Sequence, residues 1–298
     1  MGKREAIFYI GRINKIGFSQ DDFLNILFDT KPYNDGNSVW NIVNLTKNES
    51  NGVVYFFGKL NKAKPDAIVK VMSEDYKREI EKEEPDLVMA SSEFVYIPDH
   101  SGIAFHSIPN YIEPKKFKSI FCKIIENSLD NFFVDCQINL IDDLDSFFKK
   151  LNTFDSINKM KAVVNPPNPL FGKFWESLKN YLNNRKADEL FVQESNKKSS
   201  LNTKIKELIE ILLRGDKNEI EKYLKDNEIS ILDLAILMSL DGYGNGRIDG
   251  RSNGQYAFIK THEKIMHFGL ARDFTDSEIF EKAITIFRRI TDERHMEH

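Results

Sequence analysis

His262 and Glu263 open the stretch THEKIMH (261–267), whose residue types are those of a zinc-protease helix. That chemistry needs two imidazoles at i and i+4 on one helical face, with the carboxylate beside the first. Met266 stands where the second ligand is required, and His267 comes one residue late, rotated by roughly 100° around a helix. Ordinary histidines are therefore expected. Cys122 and Cys136 lie in apolar runs (SIFCKII, FVDCQI) and read as core residues, too few for a cysteine zinc site or a disulfide framework. No metal ligand and no catalytic residue is assigned, and the sequence calls for no cofactor. GYGNGRIDG (242–250) fails as a dinucleotide fingerprint, because Asp249 occupies the third glycine position counted from Gly244. Pro65-Asp66 followed by Asp75-Tyr76-Lys77 matches the PD-(D/E)xK nuclease pattern, in which two carboxylates hold Mg²⁺ and a lysine positions water. That reading needs Asp75 and Lys77 on a strand, whereas SEDYKREIEKEE reads as a charged helix ended by Pro85. Asp142, Asp143 and Asp145 in IDDLD are expected to cap a helix.

Charge is distributed more informatively than its total. The 298 residues carry a net charge of −4, which by itself argues against a nucleic-acid binder. Residues 158–206 nevertheless hold ten basic side chains (Lys159, Lys161, Lys173, Lys179, Arg185, Lys186, Lys197, Lys198, Lys204, Lys206) against four acidic ones (Glu176, Asp188, Glu189, Glu194), ten minus four or +6. A local positive field can steer a phosphate backbone while the total charge hides it. Residues 241–254 contain five glycines with Arg247 and Arg251, and are expected to form a mobile loop or hairpin tip. No apolar run approaches the roughly 20 residues that span a bilayer, and no secretory h-region follows the basic N-terminus. A soluble, cytoplasmic chain without direct membrane insertion is expected.

The elements that must carry these residues are legible in outline. AIFYIGRI (6–13) reads as a strand, and Ser19 as the cap of a short helix through DDFLNILF. SVWNIVNLT and GVVYFFGKL flank the polar KNESN as a hairpin; EFVYIP and GIAFHSI flank Asp99-His100-Ser101-Gly102 as another. Pro114 suits the first turn of a helix through SIFCKIIENSL, and NFFVDCQINLI alternates as a strand. NKMKAVVNP (strand), KFWESLKNYLNN (helix), ADELFVQES (strand), LNTKIKELIEILLRG (helix ending at Gly215) and DKNEIEKYLKD (helix) follow. ISILDLAILMSL fits a strand or a helix; QYAFIKTHEKIMHF returns as a strand, and Thr275 caps a final amphipathic helix. The expected fold is α+β in two domains: residues 1–165, antiparallel hairpins with helices, and residues 166–298, a basic, mixed α/β and helical domain with the Gly-rich loop 241–254.

Residues 162–204 resemble the corresponding region of the RexA phage-exclusion family. The shared pattern is an apolar strand (Val163, Val164), an Asn-Pro turn (Asn165, Pro166, Pro169), Phe171, Lys179, a short strand at Leu190, a Ser-containing loop (Ser195, Ser200) and a closing Leu201-Asn202. The order of the N-terminal elements is similar too, and the layout resembles more loosely KwaB of the Kiwa antiphage system. The resemblance implies a two-domain, homodimeric, sequence-nonspecific DNA binder that senses phage. The leading reading is a non-enzymatic sensor or regulatory subunit acting on double-stranded DNA, with a second defence-system subunit as a further partner. The expected contacts, from charge and position, are Lys173, Lys179, Arg185, Lys186, Lys197, Lys198 and Lys204, with Arg247 and Arg251. Two rivals stand beside this reading: a Mg²⁺-dependent nuclease using Asp66, Asp75 and Lys77, and a protein-interaction subunit docking through the apolar stripe of 201–212 or the last helix.

Overall fold

Phe94, Val95, Tyr96 and Ile97 are all fully buried, as are Ile103, Ala104 and Phe105. Successive strand residues point to opposite faces, so uninterrupted burial means a sheet covered on both sides. The computed structural model describes residues 5–72, 74, 78–129, 133–165, 176–185, 187 and 189–293. It places those runs at the centre of an eight-stranded antiparallel sheet. The sheet comprises β1 (Ala6–Ile16), β2 (Tyr33–Asp35), β3 (Ser38–Ser50), β4 (Val53–Met72), β5 (Glu79–Ile97), β6 (Gly102–His106), β7 (Asp135–Leu140) and β12 (His267–Leu270). The order is β12-β1-β6-β5-β4-β3-β2, with β7 also on β1. β12 pairs with the first half of β1 and β7 with the second half, so the two abut on one flank.

One face of this sheet is closed by α1 (Gln20–Phe28) and α2 (Pro114–Ser128), through Phe23, Leu27, Phe117, Ile120 and Phe121. Phe105 stacks on Phe117 with centroids 4.0 Å apart. The other face receives α8 (Asp276–Glu293), where Phe280 stacks on Tyr55 at 4.1 Å. Local chemistry sets the helix ends. Ser19 accepts from the Asp22 N–H while Asp22 accepts from the Ser19 N–H, a reciprocal capping box. Thr275 and Glu278 do the same at α8, and Gly215 ends α5 (Ile205–Arg214) with φ 71°.

The second sheet has the order β11-β10-β8-β9, with β8 (Ser156–Val164), β9 (Leu190–Ser195), β10 (Gly244–Ser252) and β11 (Gln255–Lys260). Its inner face (Ile157, Met160, Ala162, Val164, Ile248, Ile259) joins the same core cluster as α8. It is covered by α7 (Ile231–Leu240), every residue of which from Leu232 to Leu240 is buried. α3 (Leu144–Asn152), α4 (Glu176–Arg185), α5 and α6 (Lys217–Asp226) complete the helical side. The α+β class is as expected. A division at residue 165 does not follow the sheets, since β8 belongs to the second sheet while β12 and α8 return to the first.

Three local expectations are corrected. Residues 79–84 are not helical: β5 runs through them as a ribbon with β4, pairing Asp66 with Pro85 and Met72 with Glu79. Among the described residues β4 alone neighbours β5 at Pro85, so the absent N–H is tolerated. The β3–β4 turn is only Asn51-Gly52, both at positive φ, and KNES belongs to the strand. Residues 244–252 are not a mobile loop but the interior strand β10, flanked by β8 and β11. Its glycines are there because their neighbours leave no room for a side chain: β8 backbone at Gly244 and Gly250, and the Ser239 and Ile236 side chains of α7 at Gly246. A Cβ on Gly244 would lie 2.0 Å from the Val163 carbonyl oxygen, and one on Gly250 would lie 2.1 Å from that of Ser156.

Candidate nucleic-acid interface

With α7 against one face of the second sheet, the residues of opposite parity point outward. On β8 these are Lys159 and Lys161. Their partners on β10 are Asp249 and Arg247, and on β9 Ser195 and Gln193. β11 adds Lys260 opposite Arg247, Phe258 opposite Asp249 and Tyr256 opposite Arg251. The result is a groove of about 740 Å³ lined by Lys159, Lys161, Lys197, Arg247 and Arg251, with Asn158, Asn196 and Tyr256. Asp249 is the carboxylate among its lining residues.

That carboxylate is occupied. Arg247 Nε donates to both Asp249 oxygens at 3.0 Å, its Nη2 donates to Oδ1 at 2.6 Å, and the Tyr256 hydroxyl donates to Oδ1 as well. Partial burial works to raise the Asp249 pKa, but the hydrogen bonds from Arg247 and Tyr256 outweigh it and hold the carboxyl below its usual range. Arg247 also donates to the Tyr256 oxygen at 2.6 Å, and its guanidinium carbon lies 4.5 Å from the Phe258 ring centroid. Lys159, Lys161, Lys197 and Arg251 form no ion pair among the described residues. Lys159 lies opposite Asp249 and helps hold its carboxyl low, and with Lys161, Lys197 and Arg251 it concentrates positive charge on one face of an acidic chain.

The structure thus brings together Lys197, Arg247 and Arg251 of the expected contacts. Lys198 adjoins them in the loop after β9, where Asn196 Oδ1 accepts the N–H groups of Lys198 and Ser199. Arg185 and Lys204 are not among the groove residues. Arg185 ends α4, packed on α7, and lies 5.7 Å from the Tyr181 ring. Lys204 precedes α5; its N–H is accepted by Asp233 of α7 and its ammonium by Asn227. Both lie on the helical side. Lys179 belongs to α4, its side chain outside the described residues, and Lys173 and Lys186 lie outside them altogether, as do Asp75 and Lys77 of the nuclease pattern. Asp66 is exposed on the β4–β5 ribbon. Lys159 and Lys161 belong to the +6 segment but not to the expected contacts; their i, i+2 spacing in a strand is what sets both on one face. Tyr256, Phe258 and Phe191 are further groups of this face that lie outside the expected contacts.

Where the two sheets meet lies a buried polar junction. Asp143 caps α3, accepting from the Ser146 N–H, as expected. Asp142 does something else: at 1% exposure it accepts the His262 N–H at 2.8 Å and faces His262 Nδ1 at 3.4 Å. His262 is in a turn at φ 67°, with Nε2 3.0 Å from the Gly244 carbonyl oxygen. That carbonyl calls for a proton on Nε2, and Nδ1 is buried with no hydrogen-bond partner among the described residues. Burial drives the Asp142 pKa up to about 8 and that of His262 down to about 4, so the pair is a neutral acid beside a neutral imidazole.

This pair sets a pH dependence of stability. The folded pKa of His262 lies below its unfolded value, so its contribution is present above roughly pH 6.5 and fades as pH falls toward 4. The folded pKa of Asp142 lies above its unfolded value, so its contribution is full at low pH and is lost as pH rises through 8. The two slopes oppose each other below pH 6.5, and only the Asp142 loss acts above it. Unfolding free energy is expected to fall by on the order of 1–2 kcal/mol between pH 6.5 and 8. Asp142→Asn should abolish that decline in urea titrations across this range. An unchanged decline would place its source in another group.

A larger cavity of about 970 Å³ lies beside β1, lined by Tyr9, Ser91, Glu93, His106, Arg272 and Phe274 among others. His106 Nδ1 is 3.1 Å from Glu93, Lys59 is 3.4 Å from the same carboxylate, and the imidazole stacks on Phe8 at 5.1 Å. Four strands, β1, β4, β5 and β6, supply these groups, so no sequence spacing announces them. Among the described residues no three His, Cys, Asp or Glu side chains are grouped to hold a metal ion, and no helix is long and apolar enough to cross a membrane.

The architecture is therefore an α+β protein whose smaller sheet, among the described residues, packs helices on one face and carries Lys159, Lys161, Arg247 and Arg251 on the other. The chain belongs to the DUF4747 family, described as a domain of unknown function, whose match covers residues 25–232. The matched stretch includes β8 and β9 of the groove and ends before β10 and β11. No curated protein matches the chain.

Proposed function

We propose that the chain binds nucleic acid without sequence preference through the outer face of its second sheet, and serves as a DNA-binding sensor or regulatory subunit in phage defence. One observation carries the binding: Lys159, Lys161, Lys197 and Arg251 surround a groove whose carboxylate is already neutralised by Arg247. Lysines and arginines contacting phosphates suffice for nonspecific binding, which then weakens steeply with salt. The defence setting and the homodimer rest on the resemblance of residues 162–204 to phage-exclusion proteins. Lys197 and Arg251 are exposed, so replacing both by alanine should leave the fold intact. On a random duplex the Lys197→Ala/Arg251→Ala protein should bind roughly tenfold more weakly, with a salt slope shallower by about 1.8. Arg185→Ala/Lys204→Ala, on the other side of the sheet, should leave that slope unchanged. Equal slopes for wild type and the groove variant would remove the assignment.

A further inference from the structure

Three exposed aromatic rings share the outer face with the cations. Tyr256 is 67% exposed, Phe191 60% and Phe258 39%. Phe191 pairs with Val163 on β9, and Tyr256 pairs with Arg251 on β11, so the rings mark opposite corners of the sheet. Between those corners run Lys161, Arg247, Lys159 and the neutralised Asp249. Three strand spacings across and about six residues along give a diagonal of roughly 25 Å. An antiparallel surface with rings at opposite corners and cations between them has the plan of a base-stacking platform.

The ring of Tyr256 is held rather than merely exposed. Its hydroxyl donates to Asp249 and accepts from Arg247, which fixes one end of the phenol while the ring stays open to solvent. Phe258 lies 6.1 Å from it, backed by the guanidinium of Arg247 at 4.5 Å and the ammonium of Lys260 at 5.4 Å. Rigid rings lose little freedom when a base stacks on them, and the flanking cations add attraction for the adjoining phosphate. In a duplex the base faces are covered by their neighbours, so such rings find them only in an unpaired strand.

We infer that the outer face of the second sheet takes single-stranded nucleic acid, with phosphates on Lys159, Lys161 and Arg251 and unpaired bases stacked on Tyr256, Phe258 and Phe191. The inference deepens the proposed function and rests on it. It is tested by fluorescence anisotropy with the full chain and end-labelled probes: a thymidine 15-mer, its uridine RNA counterpart, a 15-base-pair duplex, and a 15-mer backbone of abasic deoxyribose phosphates. The thymidine strand should bind at least about tenfold tighter than the duplex and the abasic strand. Phe191→Ala/Tyr256→Ala should bind the thymidine strand no more tightly than the same variant binds the abasic strand. Phe191→Ala alone should give part of that loss. A similar loss with the uridine strand extends the site to RNA; a loss confined to one strand names the sugar the site prefers. Equal affinity for all four probes, still sensitive to Lys197→Ala/Arg251→Ala, overturns the stacking and leaves the cationic groove. Failure to bind any probe overturns both.

Discussion

Arg12→Met is expected to lower the unfolding free energy by about 3 kcal/mol or more, because two buried carbonyl groups then lose their donor. Arg12 sits in the middle of β1 with 0% exposure. Its Nε donates to the Asp241 carbonyl oxygen at 2.9 Å and its Nη1 to that of His100 at 2.5 Å. Its guanidinium lies 4.8 Å from the Tyr243 ring and 5.6 Å from that of Phe287. One side chain thus ties the β5–β6 corner of the first sheet to the segment that leads from α7 into β10. Methionine supplies comparable volume and no donor, so the loss reports the hydrogen bonds together with the ring contacts of the guanidinium rather than a cavity. Each orphaned carbonyl costs about 1–3 kcal/mol. Urea unfolding would measure the effect as a lower midpoint at unchanged slope. A change below about 1 kcal/mol would show that water or another donor satisfies both carbonyls.

The second large effect is expected at Gly250. A Cβ there would lie 2.1 Å from the Ser156 carbonyl oxygen and 2.8 Å from Phe154 Cδ2. The first of these is backbone held in the β8–β10 ladder, so the strand itself must move. Gly250 also adjoins the bulge at Asp249/Gly250 that sets the register of Lys159 against Asp249. Gly250→Ala should cost about 3 kcal/mol, at the upper end for overpacking. It should also weaken nucleic-acid binding, since the register aligns the cations of the groove. Gly254→Ala is the contrasting variant: nothing lies within 4 Å of its Cβ, and the cost is that of φ 75°, about 1 kcal/mol. Equal, small losses at both positions would show that residues 241–254 are the mobile tip that their composition suggests.

Elements whose ends are set by adjacent residues were legible without coordinates. Ser19, Pro114, Thr275 and Gly215 each mark a helix end where expected, since capping and backbone preference act over three or four residues. Cys122 and Cys136 are both buried and free, as their apolar neighbours implied. The ribbon at Glu79–Asp86 and strand β10 were not legible, for opposite reasons. Alternating charges in the ribbon carry no apolar period of either kind, and its pairing partner lies on β4. In β10 the glycines that normally signal flexibility are enforced by close packing, from β8 backbone at Gly244 and Gly250 and from α7 side chains at Gly246. α7 was ambiguous because a helix buried on every side shows no stripe.

The amino-acid order determined the α+β class, most helix boundaries and a local excess of cations in an acidic chain. Which of those cations act together was decided by the tertiary structure alone. Strand alternation sends Lys159 and Lys161 outward, and ladder pairing sets Arg247 and Arg251 beside them from some ninety residues further on. The same pairing lays Tyr256 and Phe258 alongside, while helix packing carries Arg185 and Lys204 to the far side of the sheet. Charge is a property of each residue, but a field is a property of their distances, and those distances are set by pairings that join segments remote in the chain.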